Sequence, residues 1–370
     1  MRVLIAVNSI ELRGGGVTHV RELATALVAR GHTPVVYGAG GGSVASELRL
    51  ATVPVVSDLE QLAAEPDIIH GHNHLKTMVA LLHFPQTPAV YTCHSWLLWQ
   101  DLPPVHPRIR SYIAVDYTCY DRLVCECGIP EERVSVVLNA VDLRKFKPRG
   151  PLPPRPRRAL VFGNNASEET YLGAVREACG GAGLSVDVVG AGAGRVAERP
   201  EELLGGYDLV FAKARCALEA LSVGAAVILC DVVGAGPLVT TGELERLRAY
   251  NFGVRTLSNP VRADLLAREI ERYDPQDAAE VTRRVRAAAG QDEAVARTIE
   301  IYEETIARHA ESGRADELEE SRAAARYIAR LDAEMASHGA ASMRMRERVL
   351  KVPVVGRLGV RLARALSGRK

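Results

Sequence analysis

The sequence predicts an α/β protein of two parallel-sheet domains in tandem, followed by a helical extension. Three observations carry this prediction. At 370 residues the chain exceeds what one hydrophobic core usually organises. Short apolar runs alternate with helical stretches in the first third of the chain and again after residue 158, the pattern of βαβ units whose strands are buried on both faces. Between the two series lies KPRGPLPPRPRR, residues 147–158, with five prolines in twelve positions and no apolar periodicity. Such a stretch suits neither a helix interior nor a central strand and reads as an interdomain linker.

The first series runs RVLIAV, THVRELATALVAR, TPVVYG, DIIHG and PAVYTCH. In its helix Val20, Leu23, Ala24, Leu27 and Val28 form one apolar stripe, and Gly31 is placed to end it in a left-handed turn. The opening MRVLIAVNSI is apolar for too few residues to be a signal sequence or a membrane span, so it is expected to be a buried first strand. The second series runs RALVFG, EETYLGAVREA, LSVDVVG, DLVFA, KARCALEALSVG and AAVILCD, which calls for a second parallel sheet with right-handed crossovers. From about residue 261 the pattern is purely helical, and these helices are expected to close the second sheet and cross back to the first domain. Beyond residue 312 a charged helical segment leads into a basic tail.

Composition bounds the function classes. Apolar residues make up 47%, charged residues 25%, and the formal net charge is +1, which is ordinary for a globular protein and gives no argument for a nucleic-acid partner. Seven cysteines, an odd number without regular spacing, read as packed thiols in a reducing cytoplasm. Cys125 and Cys127 lack a second pair, so no metal site is expected there.

Gly14, Gly15 and Gly16 lie between the first strand and a helix predicted to begin near Thr18. At that carboxyl edge of a parallel sheet the backbone can approach a ligand closely, and a helix start offers free N–H groups. The dinucleotide fingerprint GxGxxG is not met, which argues against a dehydrogenase. HGHNH holds His70, His72 and His74 at a two-residue spacing, one face of an extended segment. Without a carboxylate or cysteine to complete the set, they are expected to line a binding site and not to hold a metal.

Several features in a fixed order resemble family-4 glycosyltransferases: GGGVTHVRELATALVARGHTPVVYG at 14–38, DIIHGH at 67–72, TCH ending at His94, and GIPEERVSVVLNAVDLRKFKP at 128–148. The resemblance spans about residues 1–310 and is patchier in the second half. It implies the GT-B fold, two Rossmann-like domains facing across a cleft. In that frame residues 1–146 are the acceptor domain, 147–158 the linker, 159–311 the donor domain with its closing helices, and 312–370 a helical and basic C-terminal extension. The implied activity is transfer of a hexosyl group from a nucleoside-diphosphate sugar to an acceptor hydroxyl, retaining, with no metal and no cofactor.

The resemblance also implies roles. Glu219 opens EALSVGAAV, where the family's glutamate accepts hydrogen bonds from the donor ribose, and His94 matches the histidine that faces the donor sugar and its leaving phosphate. These two are the catalytic candidates. Gly15 and Gly16 are donor-binding candidates, while His19, His72 and His74 are expected on the acceptor side.

The sequence departs from the family after the first strand of the second domain. The place of the basic pair that holds the donor pyrophosphate reads VFGNNASEETY, and an earlier glutamate position falls on Phe211. A leaving diphosphate still requires positive potential. Lys213 and Arg215, at the start of KARCALEALSVG, are expected to supply it together with the helix start. Gly234 and Gly236, with Pro237 opening a next helix, are a second candidate for backbone contacts.

Two alternatives keep the same fold: a nucleotide-sugar epimerase or hydrolase using His94 and a carboxylate as acid and base, and a catalytically degenerate protein that only binds. The tail from Met343 to Lys370 alternates arginine and lysine with Val and Leu, and could bring a cytoplasmic enzyme to an anionic membrane surface and a glycan or lipid-linked acceptor.

Overall fold

The computed structural model describes residues 1–11, 14–312 and 316–350, with side chains to residue 336. The first sheet contains β1 (Arg2–Ser9), β2 (Thr33–Ala39), β3 (Val55–Val56), β4 (Ile68–Gly71), β5 (Ala89–Cys93), β6 (Ile109–Ala114) and β7 (Val134–Val136). All pairs are parallel, in the order β3-β2-β1-β4-β5-β6-β7. Its central strands bury both faces, as their unbroken apolar runs require: Leu4, Ile5, Ile68, Ile69, Val90 and Tyr91 are almost wholly inaccessible. The strand order reverses between β1 and β4, which opens a crevice at their carboxyl ends.

Helices α1 (Gly15–Ala29), α2 (Gly42–Leu50), α3 (His74–His83) and α4 (Tyr117–Asp121) connect these strands. The apolar stripe of α1 packs Val20, Leu23, Ala24 and Leu27 into the core. The helix starts three residues earlier than Thr18, because Gly14 adopts an extended conformation that caps it. It ends as the sequence indicates, with Gly31 at φ 79° and its N–H donating to Val28 O at 3.0 Å.

The second sheet contains β8 (Arg158–Phe162), β9 (Ser185–Val189), β10 (Leu209–Ala212), β11 (Ala226–Asp231) and β12 (Gly234–Leu238), in the order β12-β11-β10-β8-β9. Here the order reverses between β8 and β10. Helices α5 (Leu172–Gly181), α6 (Pro200–Leu203), α7 (Ala214–Val223) and α8 (Leu244–Ala249) accompany it. The strand β12 corrects the expected loop and helix at Gly234, Gly236 and Pro237: the segment pairs antiparallel with β11 at the sheet edge, where proline is tolerated. Its glycines serve packing, since a Cβ at Gly236 would lie 2.4 Å from Thr256 O.

Then follow α9 (Ala263–Glu271), α10 (Pro275–Ala288), α11 (Gln291–Ser312) and α12 (Glu317–Leu350). Helix α10 packs on α7, and α11 crosses to the first sheet, where Val295, Ile301 and Tyr302 join the core of the first domain. The described residues fall in two compact units, one holding both sheets and α1 to α11, the other holding α12 with residues 104–107. None of the seven cysteines forms a disulfide. Among the described residues no helix is long and apolar enough to cross a membrane. The basic tail 343–370 lies outside the described side chains.

Candidate active site

The start of α1 and the loops leaving β4 and β5 converge at the reversal of the first sheet. They bring together three histidines that are far apart in sequence. His72 Nδ1 lies 2.7 Å from His94 Nε2, and the His19 ring centroid lies 5.1 Å from that of His94 and 5.6 Å from that of His72. A ring nitrogen from each lies within 4.8 Å of the others, a spacing that would also admit a metal ion. His72 Nε2 is buried with no hydrogen-bond partner among the described residues. Burial first, and then repulsion from neighbouring positive charge, pushes His19 and His94 down to about 3 and His72 well below its ordinary value. All three are neutral near pH 7.

The other histidines of HGHNH part company. His70 bonds Tyr302 Oη and Thr92 Oγ1, both at 2.6 Å, so its two nitrogens are spent on fixing α11 to the sheet. His74 is buried with its ring edge-on to Trp99, at the start of α3, and lines neither of the cavities described below. The two-residue spacing does not hold one face because β4 ends at Gly71.

Across the cleft, α7 begins directly after β10. Its alanine- and leucine-rich sequence favours helix, and Gly224 at φ 107° ends it. Ala214, its first residue, sits at φ 50°, held by its N–H donating to Phe252 O at 2.9 Å. Left-handed backbone at a residue with a Cβ costs about 1–2 kcal/mol. The first-turn amides of Arg215 and Cys216 have no intrahelical acceptor.

Lys213 and Arg215 are at the cleft but not free. Lys213 Nζ lies 3.3 Å from Asp231. Arg215 Nε donates to Glu219 at 2.7 Å and its terminal nitrogen to Glu22 of α1, in the opposite domain, at 2.6 Å. Burial opposes the charge of Arg215, but the carboxylates of Glu219 and Glu22 outweigh it and hold the guanidinium protonated. Burial likewise pushes the Glu219 carboxyl up, against the pull of Arg215. The cations expected to present positive potential are therefore already paired.

Two cavities meet at this helix start. One of about 190 Å³ is lined by Gly14, Gly15, Arg21, Lys145, Asn164, Arg215 and Glu219. The other, of about 410 Å³, is lined by His94, Asp116, Asn139, Asn165, Lys213 and Asn251. Gly16 lines neither, and Gly234 and Gly236 are packed in the edge strand. Asn164 and Asn165 occupy the exit of β8, where Asn165 Nδ2 donates to Asp231 at 3.1 Å. Phe211 is a core residue of β10.

The sequence reading missed Arg21, Lys145 and Asn139, all within stretches quoted for the family resemblance, where their presence was a usable signal. It also missed Asp116 and Asn251. Asn251 Nδ2 donates to Val115 O of the first domain, a contact that nothing in the sequence announces.

Solved structures show the same architecture. A glycosyltransferase from Rickettsia africae aligns with TM-score 0.58 and 15% identity over 82% of this chain and 98% of its own. Anabaena HepE, solved in complex with UDP-glucose, aligns with TM-score 0.59 and 17% identity over 85% of this chain and 100% of its own. Sucrose-phosphate synthase from Thermosynechococcus elongatus gives TM-score 0.54 and 14% identity over 83% and 99%. Among curated protein sequences there is no significant match. Two doubly wound domains with a cleft at their switch points make this a GT-B protein, the fold of those glycosyltransferases. Residues 13–145, the segment that carries His19, His72 and His94, match the model of Glycosyltransferase Family 4.

Proposed function

We propose that the chain transfers a hexosyl group from a nucleoside-diphosphate sugar to an acceptor hydroxyl, with retention and without a bound metal. One observation carries the reading: the first turn of α7 separates a cavity holding Glu219 from a cavity holding His94. A donor laid across it sets its ribose against Glu219, its diphosphate on the amides of Arg215 and Cys216, and its sugar toward His94. The UDP-glucose complex of the similarly folded Anabaena protein supports a ligand of this class.

In this reading the diphosphate replaces Glu22 on Arg215 and draws Lys145 and Arg21, which line the same cavity. His94, held neutral, hydrogen-bonds a sugar hydroxyl and supplies no charge. Its low basicity also makes it a poor general acid for epimerisation or hydrolysis. Closure about the linker 147–158 excludes water, the competing acceptor.

Isotope-labelled UDP- and GDP-sugars test the proposal. Saturable binding, slow hydrolysis without acceptor, a retained anomer in the first-formed product and indifference to EDTA are expected. Absence of any nucleotide-sugar affinity would remove the reading. The pairing of Lys213 and Arg215 with carboxylates favours a second reading, binding without catalysis, which affinity with no turnover would establish. Contact of 343–370 with an anionic membrane is a separate proposal: anionic liposomes should float the full chain but not one ending at residue 312.

A further inference from the structure

The cavity beside His94 has a polar floor and an apolar mouth, and the two sides of the mouth come from different domains. On the first domain Trp96, Leu97 and Leu98 follow His94 in sequence and are 37%, 64% and 48% exposed. This is not a slack loop. Ser95 Oγ accepts from the N–H groups of Leu97 and Leu98 at 3.0 and 3.3 Å, and the buried Arg122 guanidinium donates to Ser95 O. The backbone is tied inward while the large apolar side chains face out. Arg255 of the second domain lies 5.7 Å from the Trp96 ring and is itself ion-paired with Asp121.

The opposite lip is Val233, in the two-residue turn between β11 and β12; it is 52% exposed, and its turn neighbour Val232 is 47% exposed. Two-residue hairpin turns ordinarily take Asn, Asp or Gly, and β-branched residues are poorly suited to them. Two valines there oppose local turn preference. Large apolar groups held in water on both sides of one opening mark a binding surface, because burial by a ligand recovers what exposure costs.

We propose that the acceptor is amphiphilic: a hydroxyl-bearing head reaches the polar floor beside His94, and an attached apolar body, hydrocarbon chain or aromatic ring, lies between Trp96–Leu98 and Val232–Val233. The proposal rests on the transferase reading for the word acceptor, but the apolar subsite stands on its own geometry. A water-soluble sugar without such a body would leave the lips exposed.

The test titrates the full chain with glucose, octyl β-glucoside and phenyl β-glucoside, below the micelle concentration, following tryptophan emission. Both tryptophans, Trp96 and Trp99, lie near the mouth or the adjoining loop. The same samples are scanned for thermal stabilisation by UDP and GDP. At least one of the two glucosides should bind ten times or more tighter than glucose, and the better of the two distinguishes a chain from a ring. A Leu97→Ser/Val233→Ser variant, altered only at exposed positions, should lose most of that preference and keep its response to nucleotide. Equal binding of armed and bare sugars, binding of none, or an unchanged preference in the variant would overturn the subsite. Nucleotide binding without glucoside binding removes this proposal alone. Glucoside binding with no response to any nucleotide removes the transferase reading and leaves an apolar ligand site.

Discussion

At the scale of single residues the centre of the proposed site is the group Glu22, Arg215 and Glu219, with Glu219 buried and the other two half-buried where the domains meet. A buried ion pair is weak evidence for stability, since desolvation offsets much of the attraction. In the proposed function its sense is an exchange of partners. If phosphate displaces Glu22 from Arg215, Glu22→Ala should raise nucleoside-diphosphate affinity several-fold. Glu219→Ala should lower it ten- to a hundredfold by removing the acceptor for ribose hydroxyls, a loss of about 1.4–2.7 kcal/mol. Calorimetric titration of both variants checks the opposite signs. His94→Ala should reduce kcat about a hundredfold or more with a smaller change in KM, in keeping with a group that acts most strongly in the transition state. Glu219 and His94 could be singled out in the sequence because they stand in ordered runs that resemble one family. The pairing of Arg215 with Glu22 was not legible, because Glu22 is 193 residues away and reaches it only when the domains face each other.

At the scale of elements the turns that hold the site depend on close backbone approach. Gly190 follows β9 beside the exit of β8, and a Cβ there would lie 2.0 Å from Gly163 O. Gly190→Ala must push the two exits apart, moving Asn164, and should cost about 1–3 kcal/mol in a urea titration as well as nucleotide affinity. A stability change below about 0.5 kcal/mol would show that the loops yield freely. The strands and helices with strong periodicity, β1, α1, β10 and α7, stood out in the sequence. Strand β12 did not, because Gly-Ala-Gly-Pro-Leu has almost no strand propensity, and an edge position next to β11 is what makes it a strand. Helix α7 was readable from its composition, but the left-handed Ala214 at its start was invisible, since alanine gives no warning of that conformation.

At the scale of the whole molecule the cleft histidines, His70 and His72 buried and His19 and His94 half-buried, couple stability to pH. His19, His70 and His94 are pushed down to about 3, and His72 lower than its ordinary value, chiefly by burial. The native chain therefore stays neutral at these sites as pH falls from 6.5 toward 3, while the unfolded chain takes up protons. Stability is fully present above about pH 6.5 and is lost below it, by up to about 1.4 kcal/mol per pH unit for each such histidine. Urea midpoints should fall steadily between pH 7 and pH 5, before most carboxylates titrate. A flat profile would mean that these rings are hydrated in solution. The two-domain plan was readable from alternation and the proline-rich stretch. The return of α11 to the first sheet, pinned by Tyr302 on His70, was expected from helices left over after the second sheet.

In the proposed function the start of α7 receives the donor diphosphate. Isothermal titration of the full chain and of Arg215→Ala with UDP and GDP tests it most directly. One of the two nucleotides should bind the wild-type chain, and Arg215→Ala should weaken that binding at least tenfold, about 1.4 kcal/mol. Equal affinity in the two proteins, or no binding of either nucleotide at millimolar concentration, would contradict it.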